Sequence, residues 1–310
     1  AIDEHMRDEG FNMHVGVNME TGFVYGGNQF NCGTWMDKMG SSSRAGNKGL
    51  PSTSRDGSAV ELIGLCRFVL DWLCVSSSNS QYPYKGVELA ANTAAQQLLT
   101  WSEWAAKIDA NFEKHYWIDE SSNESHHINK RNIYKDTLGS QVPWTDYQMR
   151  PNFLIALCLA PQMVRAENAR KALDQVKRHL MNEPNTIGIK TLDASDFNYC
   201  GTYDNANDST DKRVANGANY HQGPEWLWPV GYYLQACLIY NKDDGGDARQ
   251  LVQQHLGKLY DRMLSTDWKS LPELTNRNGE ICSFSCDAQA WSLATILEVF
   301  HQLSTSSSSS

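Results

Sequence analysis

Apolar residues recur at three- and four-residue steps along much of this 310-residue chain, and that spacing indicates helices with one buried face. In the first such segment the repeating residues are Leu62, Leu65, Val69 and Leu73. A weaker form of the pattern covers Val87 to Leu99 and also predicts a helix. The clear segments predict helices over residues 57–76, 100–116, 151–164, 167–179, 224–240, 248–264 and 287–303.

The second of these helices carries a start signal in the run Thr100-Trp-Ser-Glu103. A threonine hydroxyl at this position can accept the amide of the third residue, while the glutamate carboxylate reaches back to the threonine amide. The two residues therefore predict a capping box, with the helix beginning directly after Thr100.

Long polar connections separate the helices, at residues 119–149, 181–223 and 265–286. Loops of this length in a compact domain are usually functional or disordered. The chain shows no strand-rich half and no repeat of fixed period, which argues against a solenoid. We therefore predict an all-α fold over residues 1–303, a helical barrel with functional loops at its open end, followed by a disordered serine-rich tail over 304–310.

The charge of the chain limits its partners. The formal net charge is −9 without a basic stripe, so a phosphate backbone finds few places to dock. No window approaches the roughly 20 apolar residues that cross a bilayer. We therefore expect neither nucleic acid nor membrane as a partner, and a soluble chain. The start at Ala1 lacks both an initiator Met and a signal sequence, which predicts an excised segment.

The cysteines indicate a reducing compartment. Four of the eight lie inside helical patterns, where a thiol packs as a small hydrophobe: Cys66, Cys74, Cys158 and Cys237. Cys282 and Cys286 are spaced too widely for a Cys-x-x-Cys pair and have no second pair to complete a zinc site. We expect reduced thiols in the cytoplasm, with no metal and no cofactor.

Three loops combine carboxylates, aromatic residues and small residues in a way that packing does not require. They are 31–40 with Asp37, 221–229 with Glu225, and 271–276 with Glu273. Cleavage of a glycosidic bond needs one carboxylic acid for the leaving oxygen and one carboxylate for water or attack. Many of the ten tryptophans lie near acidic residues, which suits stacking on sugar rings.

Each of these acids also has a simpler interpretation, because a loop carboxylate beside an aromatic residue is most often a cap, an ion-pair partner or a solvated group. His126 and His127 have no acidic or cysteine partner at metal-ligand spacing and are interpreted as loop residues. The chain contains neither a His-Glu-x-x-His nor a Gly-x-Ser-x-Gly run. A zinc protease and a nucleophile-elbow hydrolase are therefore not supported.

Several runs resemble the carboxyl-terminal amylo-α-1,6-glucosidase region of the glycogen debranching enzyme family, in order and over nearly the whole chain. They are Gly22–Asn28, Asn31–Gly40, Arg55–Glu61, Ile133–Asp136, Tyr203–Ala206, Tyr220–Pro229 and Leu271–Asn276. The resemblance implies an (α/α)6 barrel. A twelve-helix barrel needs more chain than this, so the barrel is expected to be incomplete, with further helices in upstream parts of the same polypeptide.

The resemblance also implies a reaction, the removal of the single α-1,6-linked glucose left at a branch point of glycogen or limit dextrin, with inversion at the anomeric carbon. By motif, Asp37 matches the general acid and Glu273 the general base, with Glu225 as the reserve candidate for the base. Inversion predicts a carboxyl separation of roughly 6.5–9.5 Å, and the acid role predicts that Asp37 is shielded beside Trp35. The expected sugar-contacting residues are Trp35, Arg55, Asp56, Lys135, Asp136, Asp204, His221, Glu225 and Trp226.

Two hypotheses of other classes remain open beside the enzyme. In one, the chain is a non-catalytic glycogen-binding fragment whose aromatic residues grip glucan. In the other, it is a helical scaffold whose loops contact other proteins.

Overall fold

The structure is a computed structural model, and it describes residues 14–89, 97–241 and 246–307. Its architecture is mostly helical, and each of the clearly predicted segments contains an α-helix. The helices are α1 (Val60–Ser78), α2 (Trp101–Tyr116), α3 (Phe153–Leu159), α4 (Ala166–Gln175), α5 (Trp228–Tyr240), α6 (Asp247–Ser265) and α7 (Ala290–Ser307).

The capping box is present at the beginning of α2, as predicted. Thr100 Oγ1 accepts the backbone amide of Glu103 at 3.2 Å, and Glu103 Oε2 accepts the amide of Thr100 at 2.9 Å. These two bonds satisfy amides that the first helical turn leaves without an intrahelical partner.

Pro161 divides the helix predicted over 151–164. Residue Ala160 adopts φ −133° and ψ 56°, and a short 3₁₀ turn, Pro161–Met163, follows. A proline has no amide hydrogen, and it disfavours helical dihedrals at the preceding residue. The α-helix therefore ends at Leu159.

Short antiparallel strands join the helices. The pairs are β1 (Val15–Val17) with β2 (Val24–Gly26), β3 (Gly86–Leu89) with β4 (Gln97–Thr100), and β5 (Trp117–Ile118) with β6 (Ile133–Tyr134); β7 (Ile189–Lys190), β8 (Glu225–Trp226) and β9 (Leu274–Thr275) form a three-stranded sheet. The prediction of an all-α fold is therefore correct for the main elements, which are helices, and wrong for these connections, which contain short strands.

The β3–β4 hairpin shows that the weaker helix prediction over Val87 to Leu99 is wrong. Val87 pairs with Leu99 across the hairpin, and residues 90–96 lie outside the described ranges. Leu98 is 44% exposed and Leu99 is 8% exposed. That alternation has the period of two that a half-buried strand requires. The sequence pattern of the leucines alone does not distinguish such a strand from a helix.

Glu225 and Trp226 also lie in a strand, β8, so α5 begins at Trp228 rather than at residue 224. At the other end of the chain, α7 continues to Ser307. Residues 304–307, predicted to be part of a disordered tail, are helical. Residues 308–310 of that tail lie outside the described ranges.

Alternate helices form one layer. α1 packs on α3, α3 on α5, and α5 on α7, while α2 covers α1 and both α4 and α6 cover α5. Gly64 allows close contact in the first pair, since a Cβ there would lie 2.5 Å from Ala156 Cα; at Gly231 a Cβ would lie 2.4 Å from Thr295 Cβ. The result is a two-layered arc of helices around a core that contains Ile63, Leu154, Leu234 and Val299.

Both ends of the inner layer expose apolar side chains. On α1, Phe68 is 48% and Trp72 is 60% exposed; on α7, Leu297 is 70% and Phe300 is 50% exposed. The middle helices of this layer, α3 and α5, pack against a neighbour on both sides. The end helices, α1 and α7, have a neighbour in the layer on one side, and their other sides expose these apolar residues. Within the described ranges, no helix has the length and apolar content needed to cross a membrane.

Candidate active site

Trp35 lies at the centre of an aromatic cluster that three separate parts of the chain build. Its indole meets four other rings edge to face, with centroid distances of 4.9 to 5.9 Å. The four come from the 215–221 turn, from β8 and from the beginnings of α5 and α7: His221, Trp226, Trp228 and Trp291. Two of the predicted sugar-contacting residues, Trp35 and Trp226, are therefore in contact with each other.

A buried charge network lies beneath Trp35. Arg55, 1% exposed and in the left-handed region at φ 46°, donates to Asp136 Oδ2 at 2.6 Å and to both oxygens of Glu61 at 2.5 and 2.6 Å. Burial acts to lower the pKa of Arg55, but the charges of Asp136 and Glu61 outweigh it and raise that pKa above its ordinary value. The network is fully paired.

This network reaches the loop that carries Asp37. Arg55 Nη1 donates to Thr34 Oγ1 at 3.1 Å. Asn152 links the two parts, because its Nδ2 donates to Asp136 Oδ1 at 2.7 Å while its Oδ1 accepts Trp35 Nε1 at 2.8 Å. Arg55 and Asp136 therefore support Trp35 and Thr34 from below, and their side chains do not face the open space.

Asp37 itself is exposed. The prediction that its side chain is shielded beside Trp35 is therefore wrong. The next residue, Lys38, lies over the rings of Tyr203 and Tyr220, with its Nζ 6.0 and 5.9 Å from their centroids. Burial lowers the pKa of Lys38, and the charge of Asp37 opposes that shift. The acid loop thus closes over a tyrosine pair.

Tyr220 connects the two predicted catalytic acids. Burial raises the pKa of Tyr220 well above its ordinary value, and hydrogen bonding to Glu273, the charge of Glu273 and the charge of Asp37 raise it further. Tyr220 also packs on Trp226 at 5.0 Å, and the amide of the next residue, Leu227, donates to the carbonyl of Glu273. The loops that carry Asp37 and Glu273, which lie near opposite ends of the chain, therefore both approach Tyr220.

Glu273 is half-buried and held by three elements. Its backbone amide donates to Cys286 at 2.8 Å, and its carbonyl accepts the amide of Leu227 at 3.1 Å. Its side chain accepts Gln289 Nε2 at 3.0 Å. The carboxylate is therefore fixed at the edge of the three-stranded sheet, beside the aromatic cluster.

Glu225, by contrast, is 0% exposed. Its carboxylate accepts the backbone amides of Asn278 at 2.8 Å and Gly279 at 3.1 Å, and the hydroxyl of Thr275 at 3.2 Å. Burial raises the pKa of Glu225, and these hydrogen bonds oppose the shift. The side chain points into the turn that follows Glu273 and away from solvent.

His221 is 2% exposed and its ring stacks on Trp226 at 5.1 Å. Burial, followed by the positive charges of Arg150, Arg55 and Lys38, lowers the pKa of His221 to about 3. The imidazole is therefore neutral at physiological pH. The ring is thus uncharged where it packs against Trp35 and Trp226.

The remaining predicted residues lie in different places. Asp204 accepts the amide of Ala206 at 2.8 Å and lies close enough to Tyr203 to raise its pKa, after burial and two other charges. Asp56 is buried and accepts Ser140 Oγ at 2.6 Å. Lys135 pairs with Glu124 at 3.5 Å and lies 5.0 Å from the ring of Tyr147. Asp204 follows Tyr203, whose ring contacts Tyr220 at 4.7 Å, whereas Asp56 and Lys135 lie outside the aromatic cluster.

Several residues at the site were not predicted: Lys38, Asn152, Tyr203, Tyr220, Gln289 and Trp291. Tyr203 and Tyr220 flank the predicted Asp204 and His221, so their position in the same runs was an available signal. Asn152 directly precedes α3 and Trp291 lies in the first turn of α7, and no local pattern marks them. Among the residues that the structure describes, no group of three or more His, Cys, Asp or Glu side chains is placed to hold a metal ion.

Comparisons with known proteins agree with the runs that carry the resemblance. The sequence profile described as amylo-alpha-1,6-glucosidase matches residues 1–298. The glycogen debranching enzyme of Saccharomyces cerevisiae is 37% identical over 322 residues, which cover 97% of this chain and 20% of the yeast protein. The chain thus spans about a fifth of the length of that relative.

Solved structures give a weaker match. The GH63 mannosylglycerate hydrolase from Thermus thermophilus, in complex with Tris and D-glycerate, has a TM-score of 0.46 at 10% identity, and the match covers 79% of this chain and 46% of the hydrolase chain. The same enzyme in complex with Tris alone gives the same TM-score and identity.

Proposed function

Because the chain belongs to the amylo-alpha-1,6-glucosidase family, we propose that it forms the part of a glycoside hydrolase that removes the single α-1,6-linked glucose at glycogen branch points. The observation that carries this proposal is the meeting of the two acid loops at Tyr220. Lys38, which follows Asp37, lies 5.9 Å from the Tyr220 ring, and that ring packs on Trp226 at 5.0 Å. The next residue, Leu227, donates its amide to the carbonyl of Glu273 at 3.1 Å. Two carboxyl groups beside one aromatic cluster are what hydrolysis of a glycoside requires.

In this proposal Asp37 is the general acid and Glu273 the general base. Asp37 donates a proton to the glycosidic oxygen as the bond to the anomeric carbon breaks. Glu273 takes a proton from a water molecule that attacks the same carbon from the opposite face, so the configuration inverts. This geometry requires the two carboxyl groups to be roughly 6.5–9.5 Å apart, with room for the water.

Glu273 is favoured over Glu225 as the base because only Glu273 is partly open to solvent. A base must reach the water that it activates, and Glu225 is 0% exposed with backbone amides on its oxygens. We propose that Glu225 positions the turn after Glu273 and takes no direct part in the proton transfers.

The glucose is proposed to bind against the half-buried Trp35, with His221, Trp226 and Asp204 around it. The half-buried carboxylate of Asp204 can accept hydrogen bonds from sugar hydroxyls, and Trp35 offers an apolar face. The buried rings of His221 and Trp226 pack against Trp35 and hold it in place. Arg55, Asp136 and Asp56 are buried and paired with protein groups, and we assign them to supporting the site from below.

The helical arc is proposed to be part of an (α/α)6 barrel. The chain spans 20% of the yeast relative, and both ends of the inner layer expose apolar faces on α1 and α7. Exposed apolar patches of this kind mark surfaces that a partner covers. We propose that helices from upstream parts of the same polypeptide complete the barrel there, and that the enzyme acts in the cytoplasm on glycogen or limit dextrin.

Glucose release from a branched limit dextrin, measured with the full-length polypeptide, tests the proposal. Proton NMR at early times should show β-glucose, the inverted product, and the Asp37→Asn variant should release none while binding glycogen normally. If the unmodified polypeptide binds glycogen and releases no glucose, the enzyme proposal is rejected and the chain is a glycogen-binding module. Initial release of α-glucose would reject the inverting pair.

A further inference from the structure

We propose that a second cleft, between the 126–129, 144–149 and 193–197 segments, binds an α-glucan chain next to the hydrolytic site. The proposal rests on the proposed function for its ligand class. The cleft encloses about 300 Å³, at the lower end of the volumes, about 300–1,000 Å³, that small-ligand sites occupy. Its lining residues belong to none of the catalytic roles assigned above.

Two aromatic rings form an exposed platform at this cleft. Trp144 is 39% exposed and Phe197 is 66% exposed, and their ring centroids lie 6.0 Å apart at an angle of 67°. They come from loops that lie far apart in sequence. Two exposed aromatic rings in contact with each other mark a candidate binding surface, and the C–H face of a sugar ring is a suitable occupant.

The platform continues inward over smaller rings. The ring of His127 lies 6.5 Å from both Trp144 and Tyr147, and Tyr147 is half-buried under Lys135. The four rings therefore offer more than one stacking surface, which suits successive sugar units of an oligosaccharide.

Polar groups opposite the rings are held in place by the protein. Lys130 Nζ pairs with Asp193 Oδ2 at 3.1 Å, Asn129 Nδ2 donates to Ser195 Oγ at 3.0 Å, and Gln148 Nε2 donates to Asp196 Oδ2 at 3.1 Å. Asp193 is buried and paired with Lys130 and Ser195, whereas Asp196 is half-buried. A carboxylate accepts about four hydrogen bonds, so Asp196 keeps acceptor sites for sugar hydroxyls. Held acceptors beside exposed rings match a glucan and oppose a phosphate ligand.

A buried arginine joins the cleft to the hydrolytic site. Arg150, 1% exposed, donates to Gln148 Oε1 at 2.9 Å on the cleft side. On the other side it donates to the carbonyl of His221 at 2.8 Å and to Gln222 Oε1 at 2.6 Å. A glucan in the cleft would therefore lie across one rigid side chain from the wall that holds the branch glucose.

The test compares a polymer with a small substrate in the full-length polypeptide. The Trp144→Ala/Phe197→Ala double variant should raise the glycogen Kd and the KM for limit dextrin about tenfold. Turnover of α-D-glucosyl fluoride, which cannot reach the cleft while bound for hydrolysis, should stay within about twofold of wild type. Trp268→Ala, which removes another tryptophan that is 70% exposed, is the matched control and should change neither.

An unchanged glycogen Kd and KM in the double variant would overturn the glucan cleft. A parallel loss of glucosyl fluoride turnover would also overturn it, because the rings would then act on the hydrolytic site or on folding. Should the unmodified polypeptide bind glycogen without hydrolysing it, the proposed function fails, yet the Kd comparison still decides whether the cleft binds glucan.

Discussion

The carboxylate of Glu225 accepts the backbone amide of Asn278 at 2.8 Å. Asn278 occupies the left-handed region at φ 59° and Gly279 follows at φ 72°, which turns both amides toward the buried acid. The same turn follows β9, which pairs with β8 in the register Glu225 to Thr275. One side chain therefore closes the loop that begins with the proposed base, Glu273.

Replacing Glu225 by Gln tests this positioning role. The amide group of Gln repels one of the two backbone N–H groups, so the turn should shift and carry Glu273 with it. We expect kcat for glucose release to fall about tenfold to a hundredfold while KM stays nearly constant, because misplacement of a catalytic group by about 1 Å has effects of this size.

The control for that variant is Glu280→Gln, which removes an exposed carboxylate from the same turn and should leave kcat unchanged. Wild-type kcat in Glu225→Gln, or a rise in KM with kcat intact, would show that the turn does not position the base.

Arg55→Met tests the buried network under Trp35. The change leaves Asp136 and Glu61 buried without their cation, and breaking a buried pair in this way costs about 3–5 kcal/mol. Urea unfolding should show that loss in the free energy of unfolding. Arg44→Met removes a pair whose side chains are 60% and 74% exposed, and it should change stability little. Equal effects from the two variants would contradict a structural role for Arg55.

The low pKa of His221 predicts a loss of stability in mild acid. The unfolded chain takes up the proton near pH 6.5, whereas the folded protein resists it down to about pH 3. The contribution of His221 to the free energy of unfolding is fully present above pH 6.5 and is lost progressively as the pH falls toward 3. The part due to His221 should be about 2 kcal/mol smaller at pH 5 than at pH 7.5.

Unfolding of His221→Gln at both pH values measures that contribution, since the variant should lose this part of the pH dependence. His126→Gln, at an exposed loop position, should keep it. If His221→Gln and the unmodified protein have the same pH dependence, the imidazole is not held neutral by its burial.

Much of the helical architecture could be predicted from local pattern. The spacing of Leu62, Leu65, Val69 and Leu73 placed α1, and the Thr100 capping box placed α2, because both signals act within one helix. The β3–β4 hairpin could not be found this way, since Leu98 and Leu99 fit either period until their strand partners are known.

The candidate site could be predicted only in part, because motifs are local and the pairing of buried charges is not. Motif resemblance supplied Asp37, Glu273 and Trp35, but the pairing of charged residues depends on long-range packing. Arg55 and Asp136 carry charges that suit sugar hydroxyls, but in the fold they form a buried ion pair with each other. Lys135 pairs with Glu124 and lies over the ring of Tyr147. Local spacing does not reveal such choices.

The rate of glucose release from limit dextrin by the Glu273→Gln variant decides whether Glu273 is the general base. Gln keeps the hydrogen bond to Gln289 available but cannot take a proton from water. We expect kcat to fall by roughly 10²–10⁴-fold, with the melting temperature and glycogen binding unchanged. A kcat within about threefold of wild type, far outside the range that loss of a general base produces, would contradict the assignment of Glu273 as the base.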